Sequence, residues 1–138
     1  MTRPPGAGPF VADLAGGRPE GTHVLRRWAA DRLGGLGEDH LRAVQLVLTE
    51  LVVNAHVHGG GGRSVRLRRR DPCVVRVEVE DNAVFRSGTR QRAGGRGLLL
   101  VSAVARRWGI SPAPDGGKRV WAEVDCATSP GQPCASRA

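Results

Sequence analysis

The chain has 138 residues, of which 40% are hydrophobic, and a formal net charge of +8. This length fits a single domain with one core, and no apolar run approaches the roughly 18 residues of a membrane span. We expect no secretory signal, and three cysteines without metal or disulfide spacing favour a reducing cytoplasm. The positive charge favours an acidic partner, but three Trp and two Phe offer few stacking platforms, which argues against nucleic acid.

The first predicted elements are a short edge strand and two helices. Residues 10–14 fit the strand, and residues 23–33 have the apolar spacing of an amphipathic helix that ends at two glycines. Residues 38–57 predict a longer helix that ends at a run of four glycines. The Pro- and Gly-rich residues 1–8 and the tail 127–138 are predicted to be disordered, which leaves residues 9–126 as the folded unit.

The hydrophobic period then changes from that of a helix to that of a strand. Residues 65–70 and 73–81 alternate as the two strands of a hairpin, with Pro72 in the turn. A polar, arginine-rich loop precedes a helix at residues 98–107, and residues 108–112 and 118–124 predict two last strands. The order β-α-α-β-β-α-β-β favours an α+β fold with helices on one face of a sheet.

Three polar residues share one stripe of the second predicted helix. Glu50, Asn54 and His58 are spaced i, i+4, i+8 on an otherwise apolar helix, where each unpaired buried polar group costs about 1–3 kcal/mol. The Asn54 carboxamide is suited to the Mg²⁺ of a nucleotide, and Glu50 is suited to activate a group that attacks the terminal phosphate. The alternative is a solvent-facing polar stripe, and His58 is better interpreted as the residue that ends the helix.

Two later features suit the same ligand. Asp81 ends a Val-rich strand and is a candidate acceptor for an exocyclic amine such as adenine N6, with an ordinary turn residue as the alternative. Gly94-Gly95-Arg96-Gly97 leads into a helix near Leu98, and glycine-rich backbone at a helix N-terminus binds phosphate. Arg96 adds a charge-assisted contact. The alternative for this segment is a flexible hinge.

Together these motifs resemble the GHKL (Bergerat-fold) ATPases, and within them the histidine-kinase-like ATP-binding proteins related to anti-sigma-factor serine/threonine kinases of actinobacteria. Residues 50–59 resemble the N box, residues 77–81 the strand into the G1 box, residues 95–101 the G2 box and residues 116–122 the closing strand. The resemblance implies a two-layer α/β sandwich. Its sheet would be mixed, mostly antiparallel, and covered on one face by about three helices.

The resemblance also implies a role for each motif residue, with ATP and Mg²⁺ as cofactors. Glu50 would be the general base, Asn54 would bind Mg²⁺ and Asp81 would read adenine. The implied nucleotide-binding residues are Asn54, Asp81, Ala83, Gly94, Gly95, Arg96, Gly97 and Leu98. Residues 82–93 would form the ATP lid.

The chain departs from the family pattern at three positions. The G1 box of the family commonly has glycines where this chain has Ala83 and Phe85, and its closing strand often has Thr where Arg119 stands. Nucleotide binding survives these changes more readily than kinase activity does, so whether the protein is an enzyme is left open.

The leading hypothesis is therefore an ATP-binding regulatory protein of the anti-sigma-factor or serine-protein-kinase type. It would bind Mg-ATP together with a sigma factor or an anti-anti-sigma antagonist, and phosphorylate a Ser or Thr of the antagonist. The alternative is a kinase-inactive protein-binding module with a degenerate nucleotide pocket, and a basic nucleic-acid-associated protein is a third, weaker hypothesis. No membrane partner is expected, and a homodimer is left open because relatives are often dimers.

Overall fold

A computed structural model describes residues 9–14, 21–71, 73–84 and 96–126, with the side chains of residues 71, 96 and 97 excepted. The elements in chain order are β1 (Phe10–Asp13), α1 (Thr22–Arg32), α2 (Glu38–His58), β2 (Gly62–Asp71), β3 (Val74–Asp81), α3 (Arg96–Val104), β4 (Arg107–Pro112) and β5 (Lys118–Asp125). The predicted order of helices and strands is confirmed. The predicted disorder of residues 1–8 and 127–138 and the turn at Pro72 lie outside the described residues.

The predicted fold class is also confirmed, since a five-stranded sheet and three helices form an α+β, two-layer arrangement. The strand order is β1-β2-β3-β5-β4, and all four described pairings are antiparallel. A mixed sheet was expected, and the difference has a topological cause. The strands β3 and β4 run in the same direction, but β5 lies between them, so no two parallel strands become neighbours.

The long helix α2 is the centre of the helical layer. It contacts β2, β3 and β5 on one side, and α1 and α3 pack against it. The acidic residues Glu38 and Asp39 in its first turn suit the positive end of the helix dipole. The buried stripe consists of His40, Val44, Val47, Leu48, Leu51, Val52, Asn54 and Ala55. No helix in the described part of the chain is long and apolar enough to cross a membrane.

The strand β3 confirms the alternation expected from its sequence. Val75, Val77 and Val79 are buried beneath the helices, whereas Arg76 and Glu78 project from the opposite face. We call that opposite side of the sheet the outer face. It carries Arg66, Arg68, Arg70, Arg76, Glu78, Glu80, Arg107, Arg119, Trp121 and Glu123.

Ion pairs cover much of the outer face. Glu123 is only 3% exposed and accepts hydrogen bonds from Arg107 and Arg76. The Arg107 hydrogen bond lowers the pKa of Glu123 most, with Arg76 acting in the same direction and burial opposing both. The Arg76 guanidinium also stacks on Trp121, 4.2 Å from the ring centroid. These contacts shield the face of the sheet opposite the three described helices.

The bounds of two helices differ from the prediction. The helix α1 spans Thr22–Arg32 instead of residues 23–33, and Leu25, Trp28 and Ala29 pack into the core whereas Val24 is 56% exposed. The helix α3 spans Arg96–Val104, so it starts and ends earlier than the predicted residues 98–107. Its end moves because Arg106 donates its backbone N–H to the Glu123 carbonyl oxygen at 2.8 Å. This pairing with β5 draws the chain into the sheet, and β4 begins at the next residue.

His40 is a buried polar residue of α2 whose hydrogen-bond requirement is met by the sheet. Its side chain is 0% exposed, and its Nε2 lies 2.9 Å from the Val124 carbonyl oxygen. A carbonyl only accepts hydrogen bonds, so Nε2 carries the proton and donates. Burial lowers the pKa of His40 below 6.5, against the opposing hydrogen bond to Val124 and the charge of Asp125. Neutral His40 therefore joins α2 to the last strand.

We predict that this histidine makes the fold sensitive to mild acid. Because the folded-state pKa is lowered, the stability contributed by neutral His40 is present above 6.5 and is lost as the pH falls through the folded-state pKa. The wild-type free energy of unfolding should decrease from about pH 7 to about pH 5, and His40→Gln should flatten this dependence. Urea unfolding over that range measures it, with the exposed His56→Gln on the same helix as control. Equal slopes for wild type and His40→Gln would contradict the assignment.

Candidate functional site

Asp81, the last residue of β3, lies where three segments of the chain meet. It is fully buried. Its Oδ2 accepts a hydrogen bond from the Lys118 Nζ at 2.7 Å, and its Oδ1 accepts one from the backbone N–H of Ala83 at 2.9 Å. The Arg63 guanidinium donates to the Asp81 carbonyl oxygen at 3.0 Å. The start of β5, the start of β2 and the segment after β3 are thus held together at one residue.

The charge of Asp81 depends on these neighbours. Burial raises the pKa of the carboxyl group above its usual value, because the ionised form loses its hydration. The hydrogen bonds from Lys118 and Ala83 and the positive charges of Lys118 and Arg63 oppose that change. The ammonium group of Lys118 is therefore the main stabiliser of the carboxylate form.

Glycines allow the backbone to approach this carboxylate. A Cβ on Gly59 would overlap the Asp81 carboxylate and lie 2.7 Å from the Ala55 carbonyl oxygen, and a Cβ on Gly117 would overlap the Asp81 carbonyl oxygen. Any side chain at either position would displace the carboxylate or the strand. Gly59 directly follows α2, so the C-terminal end of that helix packs against Asp81. The backbone N–H of Asn82 donates to the Gly59 carbonyl oxygen at 3.0 Å and holds this contact.

The polar stripe of Glu50, Asn54 and His58 lies on the helix whose C-terminal end packs against Asp81. Asn54 is 5% exposed, and its Oδ1 is buried without a hydrogen-bond partner. Glu50 is half-buried and His58 is exposed, so the three residues differ in environment although they share a stripe. Gly59 follows Asn54 by five residues, which is about 7.5 Å along the helix axis. Asn54 therefore lies about 1.4 helical turns before the residue that contacts Asp81.

The side-chain oxygen of Asn54 has the chemistry expected of a cation ligand. A buried carbonyl oxygen without a partner costs about 1–3 kcal/mol, which a bound ligand would recover. Mg²⁺ takes oxygen ligands and is commonly held by few protein groups together with water and phosphate. Among the described residues no group of three or more His, Cys, Asp or Glu could hold a metal. A single carboxamide ligand completed by phosphate and water suits this donor set.

The N-terminal end of α3 belongs to the same helical layer, because α3 packs against α2. Leu98 is 3% exposed and forms part of the core, which is a structural role beside its predicted place in the site. Gly94 and Gly95 lie outside the described residues, as do residues 85–93 of the predicted lid. Of Arg96 and Gly97 only the helical backbone is described. Phosphate binding by this segment stays a prediction.

Two of the three departures from the family pattern have clear positions in the structure, and the third, Phe85, lies outside the described residues. Ala83 does not need the conformational freedom of glycine, because no non-glycine residue in the described part of the chain has a positive φ. Its N–H caps the Asp81 carboxylate. Arg119 lies on the outer face and binds Glu80 at 2.6 Å, so it does not face Asp81.

The residue of β5 that faces Asp81 is Lys118, which sequence reasoning missed. The signal was present in the strand alternation. Val120 and Ala122 are apolar and point inward, so the period of two places Lys118 on the inner face and Arg119 on the outer face. The pairing of Lys118 opposite Asp81 across β3 and β5 then brings the two charges together.

We predict that Lys118→Met destabilises the fold in a pH-dependent way. Removing one partner of a buried ion pair costs about 3–5 kcal/mol, because the other charge is left without compensation. The pKa of Asp81, already raised, should rise further without Lys118. A raised carboxyl pKa favours the fold at low pH and opposes it as the pH rises. The loss of unfolding free energy should therefore be largest near about pH 8 and smaller near about pH 5.

The matched control for this measurement is Arg119→Met on the outer face of the same strand. Its ion pair with Glu80 is partly exposed, so its removal should cost about 0–1 kcal/mol. Urea unfolding of both variants at both pH values gives the comparison. A cost for Lys118→Met that equals the control, or that grows at low pH, would contradict the role of the pair.

The comparisons with known proteins place this geometry in a family. The chain matches the histidine kinase-like ATPase domain over residues 12–123 of its 138, a span that includes Asn54, Asp81 and Lys118. A search of curated proteins found no match. The matched span runs from β1 to β5, and the match supports ATP binding as a general property of the domain. The chain belongs to the histidine kinase-like ATPase domain family.

Proposed function

We propose that the protein binds Mg-ATP beside α2 and the end of β3, and that it uses this nucleotide to regulate a partner protein. The observation that carries the proposal is the buried, unpartnered Oδ1 of Asn54, on the helix that ends against Asp81. Membership of the ATPase family supports the choice of ligand. The resemblance of residues 50–59 to the N box supports the metal-binding role of Asn54.

Two residues of α2 would have different roles at the phosphates. Asn54 supplies a neutral oxygen ligand, and Glu50 lies one turn earlier on the same stripe. Mg²⁺, when bound, would neutralise charge on the phosphate oxygens. Glu50 would accept the proton of the attacking hydroxyl group as that oxygen bonds to the terminal phosphorus and the bond to the leaving ADP breaks. The glycines at 94, 95 and 97 would wrap the phosphates.

The adenine base of the nucleotide would lie against both Asp81 and Lys118. Both carboxylate oxygens of Asp81 already accept hydrogen bonds, one from Lys118 and one from Ala83. An exocyclic amine such as adenine N6 must therefore share Oδ2 or displace the ammonium group. An ammonium group has three N–H donors, so Lys118 can turn towards a ring nitrogen of the base while it keeps Asp81 charged.

The regulated partner would be a sigma factor or an anti-anti-sigma antagonist, with a Ser or Thr of the antagonist as the phosphate acceptor. The motif resemblance supports this class of partner. The cysteine count and spacing suggest a reducing cytoplasm as the compartment.

A second candidate function is a kinase-inactive module that binds the partner without phosphate transfer. The observation that favours it is the closed state of Asp81, which is 0% exposed and whose carboxylate is engaged on both oxygens. A nucleotide that binds weakly at its base would still leave the helical layer available to a partner.

We predict that Asn54→Ala weakens ATP binding when Mg²⁺ is present. Loss of a ligand to a charged group costs about 1.5–3 kcal/mol, which corresponds to an affinity at least about tenfold lower. Without Mg²⁺ the wild-type and variant affinities should be similar. The substitution removes no protein hydrogen bond at Oδ1, so the variant should remain folded. Calorimetric titration with ATP, with and without Mg²⁺, measures both effects.

The control for this titration is Gln45→Ala, which removes a different carboxamide from the same helix, one that donates to the Arg26 carbonyl oxygen. Its affinity for Mg-ATP should match the wild type. Equal Mg-ATP affinity for wild type and Asn54→Ala would overturn the proposed ligand role.

We predict that Glu50→Gln separates the two candidate functions. If Glu50 is the general base, the variant should bind Mg-ATP and the captured partner as the wild type does, and transfer phosphate about 100-fold or more slowly. The measurement is labelled phosphate on the partner after a pull-down with Mg-ATP. Partner capture by both proteins with no transfer by either would reject the kinase and establish the binding module. Equal transfer by both would reject Glu50 as the base.

A further inference from the structure

A cavity lined by arginines lies at the opposite end of the sheet from Asp81. It has a volume of about 550 Å³ and is lined by Arg68, Arg69, Arg70, Arg76 and Glu78. Across the β2 and β3 pairing, Asp81 is opposite Gly62, whereas Arg69 is opposite Val75. The two lining residues of β3, Arg76 and Glu78, lie roughly 17 and 10 Å along the strand from Asp81 and on the opposite face of the sheet. The cavity is therefore separate from the candidate nucleotide site.

Arg69 is a buried cation under this end of the sheet. Its side chain is only 9% exposed, and its Nη1 donates to the Gly34 carbonyl oxygen at 2.8 Å. Its Nε and Nη2 are buried and have no hydrogen-bond partner. A guanidinium group stays charged at any physiological pH and cannot avoid this situation by losing a proton. Arg69 therefore adds positive charge behind the cavity, although these two donors have no surface that a bound molecule could reach.

The cavity lies on the outer face of the sheet. Arg68 and Arg76 project from that face, and Arg70 follows where the pairing of β2 with β3 shifts register between Arg69 and Asp71. Such a bulge bends the strand, often at a functional site. The Arg69 guanidinium remains on the opposite, helix side, where it donates to Gly34 and lies near His40.

The charge balance around the cavity leaves positive groups uncompensated. Arg68 lies directly opposite Arg76 in the pairing, and like charges in that position repel. The acidic groups nearby are already shared, since Arg76 binds Glu78 at 2.6 Å and Glu123 at 3.2 Å. Arg70 lies 3.6 Å from the same Glu123 carboxylate. Arg68 has no ion-pair partner among the side chains that the structure describes.

We propose that this cavity binds a small polyanion, a molecule with two or more phosphate or carboxylate groups. Guanidinium groups bind both kinds of oxyanion through paired N–H donors, and Arg68 offers such donors without an ion-pair partner among the described side chains. The volume is within the range of small-molecule sites and exceeds what one inorganic phosphate occupies. Bridging Arg68 and Arg76 would also relieve their repulsion. The proposed polyanion site is separate from the nucleotide site, so the test of one does not depend on the result for the other.

The test is calorimetric titration of the full chain with pyrophosphate and with citrate, without Mg²⁺ and at about 0.15 M ionic strength to screen distant charges. Wild type should bind at least one probe saturably. Arg76→Gln and the double variant Arg68→Gln, Arg70→Gln should each bind it about tenfold or more weakly. Tighter pyrophosphate binding identifies a phosphate ligand, and tighter citrate binding identifies a polycarboxylate.

Two controls make the result specific to the cavity. Arg42→Gln removes a cation from the exposed side of α2, and Asn54→Ala alters the nucleotide site. Both should leave probe affinity within about twofold of wild type, since screened, distant charges contribute little. The double variant changes exposed arginines and decides the matter if Arg76→Gln does not fold. No saturable binding of either probe, or an equal loss with either control, would overturn the proposal.

Discussion

Burial of α2 against the sheet is the constraint on which the rest of this structure depends. The helix touches three strands and both other helices, so every polar atom on its buried stripe is removed from water. Such an atom must find a partner or carry a free-energy cost. His40 finds the Val124 carbonyl oxygen and helps hold the helix on the sheet. Asn54 has an oxygen with no protein partner, and this difference separates a structural polar residue from a candidate ligand.

The Asp81 junction joins the fold to the candidate site, because the same contacts serve both. Gly59 brings the end of α2 to the carboxylate, and Lys118 brings the start of β5. A nucleotide base that reached Asp81 would disturb the ion pair that holds these elements together. Under the proposed function, nucleotide binding and local stability would be coupled through Lys118. At the opposite end of the sheet, Arg69 is the counterpart of Asn54, a buried polar group whose requirement the protein leaves unmet.

Sequence periodicity predicted the elements well where one face is buried along its whole length. The alternation of Val75, Val77 and Val79 in β3 and the apolar stripe of α2 both correspond to real buried faces. The predictions failed where a distant strand competes with local preference. The residues around Arg106 continue the helical pattern of α3. The backbone N–H of Arg106 nevertheless pairs with the Glu123 carbonyl oxygen, so the helix ends at Val104. A mixed sheet was expected because the order of strands along the chain does not show their order in the sheet. The strand β5 lies between β3 and β4, so these two strands, which run in the same direction, are not neighbours.

Sequence alone sets the order of the elements, the buried stripe of α2 and the motifs that resemble an ATPase, because those features follow from spacings of a few residues. Tertiary structure decides which polar atoms are satisfied. Asp81 and Lys118 are separated by 37 positions and His40 and Val124 by 84, so no local pattern shows that they pair. The same holds for the unpartnered atoms of Asn54 and Arg69. A missing partner can be recognised only after every neighbour, near and distant in the chain, has taken its place around the atom.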